Sequence, residues 1–215
     1  MASKKGVVPK TRFKNKPLFN MMNSMDRVQF VLDNLKGPKI LDVGFVSCTL
    51  HEKIKEKFSK KSIFGVDSEP VPKNPNYKQG SAEKIPFKAK MFDSAMAGEL
   101  IEHLHHPEKF VKETRRVLKK GGVLIITTPN RKSLINRLTR AYHAPLHFSL
   151  FSIPELTALL EKNGFSVEQL FCLPYNEESS PGSRHKWFYA VRNATHHLVP
   201  VTHLREEIVL FARKK

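Results

Sequence analysis

The stretch FDSAMAGELIEHLHHPEKFVKETRRVLKKGGVLIITTPN, Phe92 to Asn130, decides how this chain folds. Phe92 to Ala97 is a short apolar run with the length of a buried strand. Gly98-Glu99 interrupts it, and Glu99, Glu102 and His103 follow at i, i+3 and i+4, a spacing that one helical turn gathers on one face. Pro107 suits the first position of the next helix, where its missing N–H has no partner to lose. Phe110, Val111, Thr114, Val117 and Leu118 form the apolar face of that helix, and Gly121-Gly122 is expected to close it in a left-handed cap. Val123 to Thr128 is again a buried strand. Strand, polar loop, helix and strand make a βαβ unit, so the two strands are expected to run parallel.

The flanking segments keep the same rhythm. From Leu18 the apolar residues Leu18, Met21, Met22, Met25, Val28, Leu32 and Leu35 fall at helical spacing until Gly37-Pro38 stops them. Ile40 to Val43 reads as the first strand and Ile63 to Asp67 as the second, with a short helix on Leu50, Ile54 and Phe58 between them. Pro70, Pro72 and Pro75 then leave no room for a full crossover helix. Tyr77 to Gln79 is a brief third strand. Ile153 to Leu160 reads as a helix, Phe165 to Phe171 as the sixth strand and Glu207 to Ala212 as the seventh. Arg131 to Tyr142 reads as an amphipathic helix with Arg131, Lys132, Arg137 and Arg140 on its basic side.

The central stretch, with ILDVG at residues 40–44 and the Gly80-Ser81-Ala82-Glu83 to Pro86-Phe87 segment, resembles the class I S-adenosylmethionine-dependent methyltransferases from about Lys39 to Phe171. The resemblance implies an α/β, Rossmann-like, seven-stranded and mostly parallel sheet, with helices on both faces and the last strand antiparallel. It implies S-adenosylmethionine as cofactor, held by Asp42, Gly44, Asp67, Ser81, Ala82, Glu83 and Glu99 at the strand ends. Asp42 would lie near the methionine ammonium, and Asp67, 23 residues after Gly44, would meet the ribose hydroxyls. Two departures bear on the cofactor. The family's D-x-G-x-G-x-G reads Asp42-Val43-Gly44-Phe45-Val46-Ser47-Cys48, with two glycines replaced, and β-branched Val46 resists positive φ. Ser81 stands where the family has an acid for the adenine amino group.

At 215 residues the chain fits one domain able to bury its own core. Residues 1–16 hold six Lys and Arg and no acid, and are expected to form a flexible basic arm. Residues 17–215 form the methyltransferase domain, with an insertion at about 174–206 between the last two strands, where a tight hairpin is usual in the family. Within it Trp187, Phe188, Val191, Ala194 and Leu198 share a helical stripe suited to packing on the domain, to a substrate lid or to a membrane surface. Thirty-seven Lys and Arg against 20 Asp and Glu give a net charge of +17. That charge is either a generally solvated basic surface or the footprint of a polyanion, RNA or anionic lipid. No run reaches the length of a membrane span. Cys48 and Cys172 are too few for a disulfide framework, so a reducing, cytoplasmic setting is expected, compatible with peripheral membrane contact.

Two functions follow. One is an enzyme that methylates a hydroxyl on a small-molecule, lipid-linked or RNA acceptor. Here the ELIEH segment at 99–103 and His147-Phe148-Ser149-Leu150-Phe151 resemble quinone-precursor and small-RNA O-methyltransferases. The other is a non-catalytic module of the same fold that binds RNA or an anionic membrane through its basic face. In the enzyme, His103 is the candidate general base. A metal held by Glu99, Glu102, His103 and His147 is the competing arrangement, and His103 acting alone is preferred, with no metal assigned.

Overall fold

Parallel strands inside a sheet are buried on both faces, so they need mostly apolar runs rather than alternation; the sequence supplies these at residues 40–43, 63–67, 92–97 and 123–128, and only the short edge strand at residues 77–79 is polar and partly exposed. The computed structural model describes residues 27–46, 48–58, 62–133, 136–137, 147–173 and 207–215. Its strands are β1 (Ile40–Val43), β2 (Ile63–Asp67), β3 (Tyr77–Gln79), β4 (Phe92–Gly98), β5 (Leu118–Pro129), β6 (Phe165–Leu173) and β7 (Glu207–Lys214). They form one seven-stranded sheet in the order β3-β2-β1-β4-β5-β7-β6. Pairings from β3 through β5 are parallel. β7 runs antiparallel to both β5 and β6, as expected of the last strand.

Helices cover both faces. On one, α1 (Arg27–Asn34) and α2 (Thr49–Lys57) pack Phe30, Val31, Leu50 and Ile54 against Ile40, Met96, Ile125 and Phe211. On the other, α3 (Pro107–Val117) and α4 (Ile153–Lys162) pack Phe110, Val111, Leu156 and Leu160 against Leu41, Leu124, Ile126 and Leu210. Neighbours such as Ile40 and Leu41, or Leu124 and Ile125, divide between the two cores because strand side chains alternate. Each of these buried side chains contributes about 1.5–3 kcal/mol.

One expectation changes. Gly121-Gly122 does not cap α3: that helix ends at Val117, and Leu118, its C-cap, is already extended and begins β5. Leu118 pairs with Phe92 and Val123 with Ser94, so β5 carries extra residues across a register shift. Gly121 absorbs them at φ +72, and a Cβ on Gly122 would lie 2.9 Å from the Lys119 carbonyl oxygen. The glycines serve a strand irregularity instead of a helix end. Of the Met-rich helix predicted from Leu18, residues 27–34 are α1, and residues 18–26 lie outside the described residues. The arm 1–16, most of the basic helix 131–142 and the insertion 174–206 lie outside the described residues.

The β2–β3 connection, residues 68–76, contains no helix, as its three prolines predicted. In its place is a pocket of about 470 Å³ lined by His51, Lys55, Pro72, Asn74 and Tyr77. Among the described residues no helix is long and apolar enough to cross a membrane.

Candidate active site

Parallel strands deliver their carboxyl ends to one edge of a sheet, and ligands of such sheets bind there. Asp42, Asp67, the 80–83 segment, Glu99 and the Thr127–Asn130 end of β5 are all brought to that edge by the topology.

Asp42 is fully buried. Its Oδ2 lies 2.8 Å from His51 Nδ1, while Oδ1 meets no donor. Burial pushes its carboxyl above the usual range, and the His51 hydrogen bond opposes that rise. Gly44 takes φ +77, with its N–H on Val66 O at 2.8 Å. Val46 stays out of the left-handed region, so the degenerate loop turns on its one remaining glycine. Asp67 then ties the loop down: Oδ2 accepts from Val46 N–H at 2.8 Å and Oδ1 from Glu69 N–H at 3.0 Å. A carboxylate offers about four acceptor positions, so ribose hydroxyls still have room. The unpartnered Oδ1 of Asp42 is what a cofactor ammonium would satisfy, and the residues present fit S-adenosylmethionine.

Ser81 Oγ accepts from Glu83 N–H at 3.0 Å, and Ala82 packs against the core. Glu83 is turned away to the start of α3, where Oε1 accepts from His106 N–H at 2.9 Å and Oε2 lies 3.9 Å from Lys109 Nζ.

The ELIEH segment departs from the single helical face expected of it. Glu99 is left-handed, φ +50, and only Ile101–His103 form a 3-10 turn. Thr127 Oγ1 donates to Glu99 Oε1 at 3.1 Å and Thr128 Oγ1 to Glu102 Oε2 at 2.8 Å. Successive residues of a strand face opposite sides of the sheet, so these two threonines hold the two carboxylates apart. Glu99 joins the α1 side, where Arg27 Nη1 lies 3.5 Å from it and 2.8 Å from Glu207 Oε1. Burial, reinforced by the charge of Glu99, holds the Glu207 carboxyl well above its usual range, and Arg27 opposes the rise. Glu99 is also raised by loss of hydration, though a third of its side chain stays exposed.

On the α3 side, Glu102, His103 and His147 converge, with one ligand atom from each within 4.8 Å of the others. The imidazoles meet edge to face at 4.8 Å between centroids. The loop that carries His147 is fixed because Phe148 and Ser149 N–H both donate to Glu102 O, and Asn130 bridges to Phe151. Glu102 Oε1 and His147 Nδ1 are buried without partners. Burial and the charge of Glu99 raise the Glu102 carboxyl well above its ordinary value, and desolvation with neighbouring His103 lowers His147. Two unpartnered polar atoms and a mixed set of oxygen and nitrogen ligands fit a divalent cation when Glu102 is ionised and His147 offers its lone pair. Next to the cluster a cleft of about 520 Å³ is lined by Pro107, Arg131, His147, Phe148, Phe151 and Glu155. At its rim Phe148, 51% exposed, stacks on His105 at 3.9 Å.

Sequence reasoning placed Asp42, Gly44, Asp67, Ser81, Ala82 and His103 at this edge, but grouped Glu99 with the wrong neighbours. It missed His51, Tyr77, Arg27 and Glu207. His51 left a readable trace, a histidine beside Leu50 on the apolar face of its helix; Glu207, at the start of an apolar strand, left none.

A methyltransferase-domain family model matches residues 21–170, well over half of the chain. The mitochondrial ubiquinone biosynthesis O-methyltransferase of Mus musculus is 32% identical over 199 residues, covering 74% of this chain and 53% of that protein. The Homo sapiens protein of the same name is 31% identical, covering 72% and 52%. The chain thus spans about half the length of these relatives. An S-adenosylmethionine-dependent methyltransferase of Archaeoglobus fulgidus shares the fold at TM-score 0.64 and 19% identity, covering 87% of this chain and 91% of that one. The strand order, the strand-end carboxylates and these likenesses agree: the chain belongs to the methyltransferase-domain family.

Proposed function

We propose that the protein methylates a hydroxyl group on a small-molecule, lipid-linked or RNA acceptor, with His103 as general base. The observation that carries this is the convergence of Glu102, His103 and His147 beside an open cleft, with two buried polar atoms, Glu102 Oε1 and His147 Nδ1, unpartnered. When bound, S-adenosylmethionine supplies an electrophilic methyl group on a sulfonium. Asp42, Gly44, Asp67, Ser81 and Ala82 would hold its amino-acid, ribose and adenine parts, and the chain's main task would be to align acceptor with donor. The acceptor hydroxyl has to give up its proton, and the His103 imidazole would take it. His147, lowered by desolvation and by His103, stands beside it as a neutral partner. Relatives named for O-methylation support a hydroxyl acceptor.

A second arrangement of the same chemistry is favoured by the ligand set. Glu102, His103 and His147 would hold Mg²⁺, Mn²⁺ or Zn²⁺, whose charge lowers the pKa of an acceptor hydroxyl. Glu99, engaged by Arg27 and Thr127, is left out of that set. A non-catalytic binding module is not favoured, because the cofactor edge is intact around Asp42 and Asp67.

The test is methyl transfer to catechol-type phenols, their polyprenylated forms and RNA ends, with and without EDTA. Loss of transfer in His103→Ala with full activity in EDTA supports the base; loss in EDTA restored by one metal supports the cation. A wild-type rate in His103→Ala would overturn both.

A further inference from the structure

His51 is 3% exposed and sits in the first turn of α2, between two groups of very different character. Its Nδ1 is 2.8 Å from Asp42 Oδ2, and its Nε2 is 2.9 Å from the Tyr77 hydroxyl. Phe45, from the loop after β1, closes over the ring at 4.6 Å and over Tyr77 at 4.7 Å between centroids. Phe45 fits there because β2 offers a glycine: a Cβ on Gly65 would lie 2.5 Å from its ring. The imidazole is therefore held by aromatic walls, by a helix backbone and by two polar contacts.

The Tyr77 hydroxyl at Nε2 is a donor, and a neutral ring that accepts from it carries its own proton on Nδ1. In that tautomer Nδ1–H donates to Oδ2 and fixes the rotation of the carboxylate about its last bond. The oxygen left over is Oδ1, fully buried and without a partner. A carboxylate in that condition is costly unless a further donor arrives.

We propose that His51 is a positioning residue for the amino-acid end of the cofactor. By clamping Oδ2, it holds Oδ1 of Asp42 as the acceptor for the cofactor's ammonium group. This rests on the reading that Asp42 receives that ammonium. The clamp also gives a physical reason for the loop to work with Val46 and Cys48 in place of two glycines: affinity lost from backbone approach is made up by a carboxylate oriented before the ligand arrives.

The test is calorimetry with two ligands, S-adenosylhomocysteine and 5′-methylthioadenosine, which lacks the amino-acid end. His51→Leu is expected to weaken S-adenosylhomocysteine by about tenfold to a hundredfold, the scale of a hydrogen bond to a charged group. Binding of 5′-methylthioadenosine should stay within about threefold, since its contacts lie elsewhere. His51→Asn, whose amide nitrogen lies close to where Nδ1 stood, should restore most of the loss. An equal loss for both ligands would make His51 a structural residue only, and unchanged S-adenosylhomocysteine binding would overturn the proposal outright. If His51→Leu fails to fold, Tyr77→Phe carries the comparison: a loss confined to S-adenosylhomocysteine supports the clamp, and an equal loss or none contradicts it. Asp42→Asn separates the two levels, because wild-type affinity in that variant would remove the ammonium reading itself.

Discussion

Arg27 is the residue whose loss the structure prices most clearly. Its guanidinium is 12% exposed, lies 2.8 Å from Glu207, itself 1% exposed, and 3.5 Å from Glu99. Replacing it by Met keeps the apolar stem but leaves two carboxylates near one another without a cation. Breaking a buried pair from one side costs about 3–5 kcal/mol. Two features point to the lower end: Glu99 is a third exposed, and burial already raises the Glu207 carboxyl well above its usual range. We therefore expect Arg27→Met to lose about 3 kcal/mol at pH 8. In a domain of this size each kcal/mol is worth about 2–4 °C, so Tm should fall by about 6–12 °C. Thermal unfolding followed by circular dichroism measures this, and the double variant Arg27→Met/Glu207→Leu should recover most of it. Lowering the pH should also narrow the gap, because protonation removes the repulsion. A loss below about 1 kcal/mol, the scale of an exposed pair, would refute the reasoning. So would a double variant whose losses simply add.

Four further outcomes follow. Because the folded-state pKa of Glu207 lies above its ordinary value, the folded chain binds the extra proton; stability is greatest below the ordinary carboxylate range and falls as pH rises through the folded pKa. Glu207→Gln should flatten that fall in pH-dependent melting curves, with Asp42, Glu99 and Glu102, raised in the same sense, contributing to the slope that remains. Gly44→Ala places a side chain at φ +77, 2.9 Å from a Leu100 methyl; it should lose about 1–2 kcal/mol in thermal unfolding and weaken cofactor binding. Asp67→Ala releases the Val46 N–H as well as the ribose contact and should weaken S-adenosylhomocysteine by at least about 1–3 kcal/mol by calorimetry. If RNA is the polyanion that matches the +17 charge, filter binding should show log affinity falling by about 0.7 per phosphate contact with log salt. A flat response alongside binding to anionic vesicles would favour a lipid-linked acceptor.

Much of the fold was legible because it follows from strand burial. Ile40–Val43, Ile63–Asp67 and Phe92–Ala97 carry apolar residues on both strand faces, with Asp42, Asp67, Asp93 and Ser94 as the polar exceptions, and a sheet covered on both faces accommodates that pattern. Pro70, Pro72 and Pro75 ruled out the missing crossover helix for a reason any chain obeys. Gly121-Gly122 misled because a glycine pair near a helix end reads alike whether it caps the helix or relieves a strand; only the pairing of Leu118 with Phe92 distinguishes them. The site was half legible for a similar reason. The i, i+3, i+4 spacing of Glu99, Glu102 and His103 is a local rule, and it was overruled by adjacent threonines on β5 that face opposite sides. His147 comes from 44 residues beyond His103, Arg27 and Glu207 from near opposite ends of the chain. Their meetings depend on sheet order, which no local spacing encodes.

The most direct test of the central claim is the atom that receives the methyl group. With isotopically labelled S-adenosylmethionine and the acceptor that proves active, mass spectrometry and NMR of the product should find the label as an O-methyl ether. The transfer should be lost in His103→Ala while S-adenosylhomocysteine still binds. Label on nitrogen or carbon, or transfer that survives His103→Ala unchanged, would contradict the account.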